Sequence, residues 1–540
     1  MSVEASAVIG EATKRRTIAV ISHPDAGKST LTEAMLLHAQ TISEAGTVHG
    51  KAGRRSTVSD WMEMEKARGI SISSAAIQFS YGDVVINLVD TPGHSDFSED
   101  TFRVLAAVDA AIMLIDAAKG LEAQTMKLFD VCRSRKIPIV TMINKWDRPG
   151  LDALALVDEI RNHTGMAPMP INWPVGDAGF FRGLFDVATG DMLRFERTPG
   201  GAKVATSERL TPAVAEEDFG HEWLTATEDV SLVRIDGHAS DDPSFLTQQA
   251  TPLLFGAAVH NIGVHELLDF IATRAPSPGA RVVSDTRTRP VEADFSAYVF
   301  KVQSGMDPAH RDRLAFIRIC SGVFDRGMVV YHAQTGRPFP TKYAQHIFGR
   351  DRETVDVAWP GDVVGLVNAH ALRPGDTLYV GEAVEYPGLP RFAPEHFRVA
   401  NAADSSKHKQ FRRGIEQLDQ EGVVQVLRSE RRGDQSPILG AVGPMQFEVA
   451  VQRLDSEFGA PIRLTNLDYT IACATDRSSA EVLSSRRDCE VVSRGDGELL
   501  ALFSSPWLMR RLKNETPELV LEPLSGVVDL PYGRSQSVTV

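Results

Sequence analysis

Asp90-Thr91-Pro92-Gly93-His94 closes the apolar run Val84-Val85-Ile86-Asn87-Leu88-Val89. Upstream, Ser22-His23-Pro24-Asp25-Ala26-Gly27-Lys28-Ser29-Thr30 follows Thr17-Ile18-Ala19-Val20-Ile21; downstream, Asn144-Lys145-Trp146-Asp147 follows the run Ile137 to Ile143. Short apolar runs bounded by polar clusters read as buried strands. Three such clusters at the carboxyl ends of three strands mark the mouth of an open α/β sheet. In this order they predict a P-loop GTPase domain on a doubly wound sheet.

Each cluster has its own chemistry. Gly27-Lys28-Ser29 opens a helix whose backbone N–H groups face phosphates, with Lys28 reaching the β/γ oxygens and Ser29 ligating Mg²⁺. The general pattern has Gly where this chain has Ser22. Leu31 and Met35 are the expected inner face of that helix. Asp90 fits a carboxylate holding Mg²⁺ through water. Gly93 lets its N–H approach the γ-phosphate without a Cβ in the way. His94 stands where an attacking water is oriented in line. In the third cluster, the Asp147 carboxylate accepts the two donors at guanine N1 and N2 that adenine lacks, so ATP would leave it unpaired; Lys145 packs its stem over the base. The expected catalytic groups are Lys28, Asp90 and His94.

The chain has 540 residues, 43% hydrophobic and 24% charged, a length that calls for three or four domains. A net charge of −14 argues against a bulk nucleic-acid coat but leaves room for local basic patches on a ribonucleoprotein. Arg311/Arg313, Lys407/Lys409/Arg412/Arg413, Arg428/Arg431/Arg432, Arg486/Arg487 and Arg510/Arg511 are the basic clusters, each expected as a solvated face. Cys132, Cys320, Cys473 and Cys489 are dispersed, which predicts thiols in a reducing compartment and no structural zinc site. Neither a signal-peptide core nor a membrane-length apolar stretch is present, so the expected location is cytoplasmic, away from membranes.

Pro-rich breaks at Arg274 to Gly279 and at Tyr386 to Pro394 divide the chain. The expected domains are 1–280, the GTPase domain; 291–385, a small β-barrel built from short β-rich runs; and 395–540, an α+β sandwich. Val264, Leu267, Leu268 and Ile271 form a helical stripe ending the first domain; Phe411, Ile415 and Leu418, then Phe447, Val451, Leu454 and Phe458, form two more in the last. The stretch between Asp147 and the strand Pro252–Phe255 is too long for one helix and its loops. An insertion of unreadable fold is expected around 176–250.

The chain resembles the translational GTPases of the elongation factor G/Tu type, in which the first phosphate-loop position is often not Gly. Ser59 to Ile72 (SDWMEMEKARGISI), Asp90 to Arg103 (DTPGHSDFSEDTFR) and Met306 to Phe316 (MDPAHRDRLAF) narrow the resemblance to the peptide chain release factor 3 family, from about Arg15 to about Phe458. The last eighty or so residues match loosely. The resemblance implies that Arg68-Gly69-Ile70-Ser71 is the first switch, with Ser71 in place of the usual Thr as a Mg²⁺ ligand. It implies that Gly256-Ala257-Ala258 is the last guanine loop, where Ala257 replaces a Ser or Thr and leaves a backbone N–H to meet the base oxygen. Asp25 matches a position near the phosphates. The implied metal set is Ser29, Ser71 and Asp90, the last through water; the nucleotide is GTP or GDP.

The implied function is ribosome-dependent GTP hydrolysis in termination, promoting dissociation of class I release factors after peptide release. Expected partners are the ribosome's factor-binding side and class I release factors, met as a monomer. The alternative is another ribosomal GTPase, an elongation factor G-like or ribosomal protection protein. Such chains carry a further domain, whereas the residues after Glu395 here suffice for one α+β domain and a small appendage. A GTP-binding scaffold without hydrolysis is disfavoured by intact Lys28, Asp90, Gly93 and His94. A P-loop ATPase or kinase would leave Asn144 to Asp147 without a role.

Overall fold

The computed structural model describes residues 3–40, 65, 71–196, 205–235, 242–304, 313–348, 351–389, 392–433 and 435–524. They fall into two units, Met1–His94 with Asp100–Pro387, and Ser95–Glu99 with Gly388–Val540.

The first unit is built on a seven-stranded sheet in the order Ala75–Tyr81, Val84–Asp90, Arg15–Ser22, Ala110–Asp116, Ile139–Asn144, Ala250–Phe255, Ala167–Pro170. All neighbours run parallel except the Ala75–Tyr81 edge, antiparallel to Val84–Asp90. The strands Arg15–Ser22, Ala110–Asp116, Ile139–Asn144 and Ala250–Phe255 are buried at every position, as a sheet covered on both faces requires. The helices Lys28–His38 and Val264–Arg274 bury the predicted stripes, Leu31 with Met35 and Val264 with Leu267, Leu268 and Ile271.

The extra chain before Ala250 folds as a four-stranded antiparallel meander, Asn172–Val175, Gly183–Asp186, Met192–Phe195 and Ser207–Leu210. It starts at Asn172, slightly ahead of the expected 176. A helix over Pro212–Ile235 follows, broken at Gly220, where φ is 43°. Phe185 packs on Trp223, and Trp173 meets Phe255 of the seven-stranded sheet.

The β-barrel is an antiparallel eight-stranded sheet, ordered Arg337–Pro340, Val329–His332, Thr377–Tyr379, Ser296–Ser304, Arg313–Ser321, Val363–Val367, Ala344–Phe348, Asp351–Thr354. Its core includes Phe295, Ala297, Val299, Val302, Ile317, Val364 and Leu366. The change from odd to even core positions after Val299 coincides with a register shift between Val299 and Lys301, a β-bulge. The barrel packs on the nucleotide-binding sheet: Thr17 Oγ1 donates to Gly361 O at 2.8 Å, and the Arg15 guanidinium lies 2.8 Å from the Asp362 carboxylate. Fully buried Arg318 donates to both Asp109 oxygens at 2.7 and 2.6 Å.

In the second unit the described residues after Glu395 share one sheet. One eight-stranded sheet runs in the order Ile462–Leu467, His396–Ala402, Ile438–Ala441, Gln425–Arg428, Cys489–Arg494, Leu499–Phe503, Ile471–Thr475, Glu522–Pro523. The helices His408–Glu421 and Pro444–Phe458 bury Phe411, Ile415, Leu418, Phe447 and Leu454, while Val451 and Phe458 are half-buried. Several arginines expected on solvated faces are structural. Arg313 is buried and donates to Leu372 O, Arg431 donates to Cys489 O, and Arg432 grips the Glu490 carboxylate at 2.8 Å through two nitrogens. Arg311 lies outside the described residues. All four cysteines are buried and free.

Candidate nucleotide site

Strand register gathers the predicted clusters. Asp90 pairs with Val20, two residues ahead of the phosphate loop, and Asn144 pairs with Asp116. The loop turns through left-handed backbone at Asp25 (φ 64°) and Gly27 (φ 100°), and Leu31 N–H then donates to Gly27 O as the helix begins. A Cβ on Gly27 would strike Asn144 Nδ2, so both conformation and space call for glycine there.

Ser22, at the position where the general pattern has Gly, has a use in this structure. Its hydroxyl donates to His23 O at 2.6 Å and accepts from the buried Lys28 ammonium at 2.9 Å. A Cβ on Gly93 would collide with Lys28 Nζ, so the loop Asp90 to His94 and the phosphate-loop lysine are neighbours. Thr91 Oγ1 donates to Val20 O at 2.7 Å and Thr101 Oγ1 to Pro92 O at 3.1 Å, fixing the turn that carries half-buried His94. His23 is fully buried, with Nδ1 3.5 Å from Thr125 Oγ1 and Nε2 3.7 Å from Glu122. Burial, only partly offset by the Glu122 charge, pulls its pKa below the ordinary histidine value and favours the neutral ring. Pro24 is half-buried, and Asp25 and Thr30 are exposed on the rim.

At the base end, Asn144 ties two loops together: Nδ2 donates to Ala26 O and Oδ1 accepts from Ala258 N–H, both at 2.9 Å. Lys145, at φ 68°, sends its ammonium to Asp116 Oδ2 at 2.7 Å and Asp25 O at 2.5 Å. Burial pushes the Asp116 carboxyl up, but the bonds from Lys145 and Ala118 N–H outweigh it and hold the pKa below the carboxylate norm. Asp147 Oδ1 is buried without a hydrogen-bond partner, while Oδ2 lies 3.6 Å from His260 Nε2 and 3.8 Å from Arg148 Nε. A buried acceptor left this way is costly unless a ligand pairs it, which suits a guanine edge.

The Trp146 side chain is buried away from the mouth, donating to Gly176 O at 3.1 Å and meeting Phe255 edge-on. The backbone N–H groups of the last loop already have protein acceptors: Ala257 N–H donates to Ile262 O at 3.0 Å and Ala258 N–H to Asn144 Oδ1. A Cβ on Gly256 would strike Ile262 O, so this tight turn fixes the loop.

GTPase domains of this class use Mg²⁺ with GTP. The Ser29 and Ser71 hydroxyls lie 3.5 Å apart, and buried Asp90 ends the strand leading to the same mouth. An oxygen-only donor set of two hydroxyls and one carboxylate fits a hard, partly hydrated cation. Arg68, Gly69 and Ile70 lie outside the described residues.

Sequence reasoning missed Asp116, His260 and the groups that hold the Ser71 segment. Glu65 Oε1 accepts from Ile72 N–H and Ser73 N–H at 3.0 and 3.2 Å, and Asp100 Oδ2 accepts from Ser74 N–H at 2.6 Å. Only Asp116 had a visible signal, a carboxylate closing an apolar run like those ahead of Asp90 and Asn144.

Comparison with known proteins agrees with this geometry. The model described as "Elongation factor Tu GTP binding domain" matches residues 13–277, "Elongation factor G domain 2" matches 294–381, and "Class II release factor RF3, C-terminal domain" matches 386–513. The last match covers much of the segment expected to match loosely. Proteins named peptide chain release factor 3 from Gloeobacter violaceus and Symbiobacterium thermophilum are each 44% identical, over 94% of this chain and 97% of theirs. The namesake from Trichodesmium erythraeum is 43% identical over 98% of both chains. A crystal structure from Thermus thermophilus shares the fold at a TM-score of 0.68, with 21% identity, covering 86% of this chain and 70% of that one. The chain belongs to the peptide chain release factor 3 family, translational GTPases that hydrolyse GTP and work with the ribosome in termination.

Proposed function

We propose that this protein uses GTP to clear class I release factors from the ribosome after the peptide has been released. The observation that carries the reading is one chain joining the nucleotide mouth to a carboxyl-terminal region that matches the class II release factor model through residue 513. Residues 1–280, 291–385 and 395–540 act as GTPase, barrel and C-terminal domains of a cytoplasmic monomer.

Within the mouth, Lys28 neutralises β/γ oxygens, and the N–H groups of Asp25 to Ser29 cradle the phosphates. Ser29, Ser71 and Asp90, the last through water, would hold Mg²⁺, which would supply charge neutralisation for the phosphate oxygens. Gly93 brings its N–H to the γ-phosphate and His94 orients the attacking water. Asp147 reads guanine N1 and N2, and Lys145, steadied by Asp116, covers the ring. Support for the base assignment is the buried, unmatched Asp147 Oδ1.

Loss of γ-phosphate contacts at Ser71 and Gly93 changes the domain arrangement and so the grip on the ribosome. The test is dissociation of a fluorescent class I release factor from post-release ribosomes. Protein with GTP is expected to accelerate dissociation, and Lys28→Ala protein is not. Equal dissociation without the protein, or movement of tRNA instead, overturns the assignment.

A further inference from the structure

Lys301 belongs to a barrel strand, yet its ammonium reaches beyond the barrel to the Ser73–Ser74 segment. The bulge after Val299 turns it out of the core that Val299 and Val302 enter, and its stem leaves the ammonium 5.6 Å from the Phe316 ring centre. It is 5% exposed. The ammonium donates to Ser73 Oγ at 2.5 Å, to Ser74 O, and to Ser74 Oγ at 3.1 Å. Ser73 and Ser74 lie two and three residues beyond Ser71, whose hydroxyl faces Ser29. Carboxylates of Glu65 and Asp100 hold the N–H groups of the same four-residue segment, so its backbone lies between fixed charges of both signs.

The barrel does not need this contact to stay docked. Thr17 with Gly361, Arg15 with Asp362, and Arg318 with Asp109 fasten it along the sheet. Gln78 Nε2 and Asn87 Nδ2 add donors to Asp362 Oδ1 at 3.0 and 3.3 Å. What Lys301 fixes is the carboxyl end of the first switch.

We propose that Lys301 is a positioning residue that holds Ser71 ready for the metal of bound GTP, so that the barrel senses whether the γ-phosphate is present. The proposal rests on the reading of Ser71 as a metal ligand. A first switch that engages only the triphosphate draws on this clamp only with GTP, so its loss is selective for GTP over GDP.

The experiment uses the full chain with a fluorescent hydrolysis-resistant GTP analogue, GDP, and a Mg²⁺ titration. Lys301→Met keeps the stem and removes the charge. It is expected to weaken the GTP analogue about tenfold, the scale of a hydrogen bond to a charged group, with GDP unchanged within about twofold. The Mg²⁺ needed for half-saturation with the GTP analogue should rise. If thermal melting shows Lys301→Met to be misfolded, Ser73→Ala carries the test, with the same selectivity at about threefold. Equal weakening of GTP and GDP, or no change in either, overturns the proposal. Ser71→Ala is run alongside. Normal GTP binding in that variant overturns the metal reading and the clamp with it. Selective loss there beside unchanged Lys301→Met overturns the clamp alone.

Discussion

The two ends of the nucleotide mouth are built differently. At the base end, Asp116, Asn144 and the Gly256–Ala258 turn all terminate adjacent buried strands, and Asn144 binds Ala26 O and Ala258 N–H directly. At the phosphate end, the Ser71–Ser74 segment is held by Glu65, Asp100 and Lys301, which come from widely separated places in the chain. One end is carried wholly by strand ends; the other adds to the strand-borne phosphate loop and Asp90 a segment held by side chains. That difference fits the proposed reading, in which guanine is recognised in both nucleotide states and one phosphate is sensed.

The largest break in this comparison should come from His94. Replacing it with Ala is expected to lower ribosome-stimulated GTP hydrolysis about 100-fold or more while leaving GTP and GDP affinities near wild type. Phosphate release and equilibrium binding measured on the same preparation decide it, and normal turnover would remove His94 from the chemistry.

Asp147→Asn probes the other end. An amide donor facing guanine N1–H should cost about 2 kcal/mol in binding GTP and GDP alike, with preference passing to xanthine nucleotides. If guanine and xanthine nucleotides bind the variant as they bind the native protein, the base lies elsewhere. Loss confined to GTP would erase the contrast between the two ends.

The smallest effect is a pH dependence. His23 has its folded pKa lowered below the unfolded value of 6.5, so the unfolded chain takes up the proton first and stability declines as pH falls below 6.5. Asp116, also lowered, contributes stability that is whole above 3.8 and fades only below it. Between pH 7 and pH 5, acid should therefore lower the stability of the fold through His23 while the Asp116 contribution stays whole. Thermal melts of wild type and His23→Gln should diverge over that window, with the variant losing less. Parallel curves would show that His23 titrates without coupling to folding.

The strand-end clusters are legible in the sequence because burial on both faces forces continuous apolar runs, and the polar residue ending each run is therefore conspicuous. Lys28, Asp90, Asn144 and Asp147 are read this way. Trp146 sits among polar neighbours, and the sequence does not reveal that its indole turns back toward Phe255 and Gly176. Arg431 and Arg432 look like a surface patch until Cys489 O and Glu490 are brought to them from another strand. Lys301 is invisible for a related reason. A bulge decides which face it occupies, and its partners lie far away along the chain.

The sheet of the second unit has a consequence for how that part of the chain can be handled. Gln425–Arg428 is joined to Cys489–Arg494 through Leu427 with Arg494 and Arg428 with Ser493, and Phe397, Val399, Leu427 and Ile438 share a core with Val492, Leu500 and Leu502. Cutting the chain after Leu467 would strip one side of that core and open the edge of Gln425–Arg428 at Leu427 and Arg428. An unprotected strand edge beside bare aliphatic surface is a template for aggregation. A shortened protein ending there should collect in inclusion bodies, however sound its nucleotide mouth.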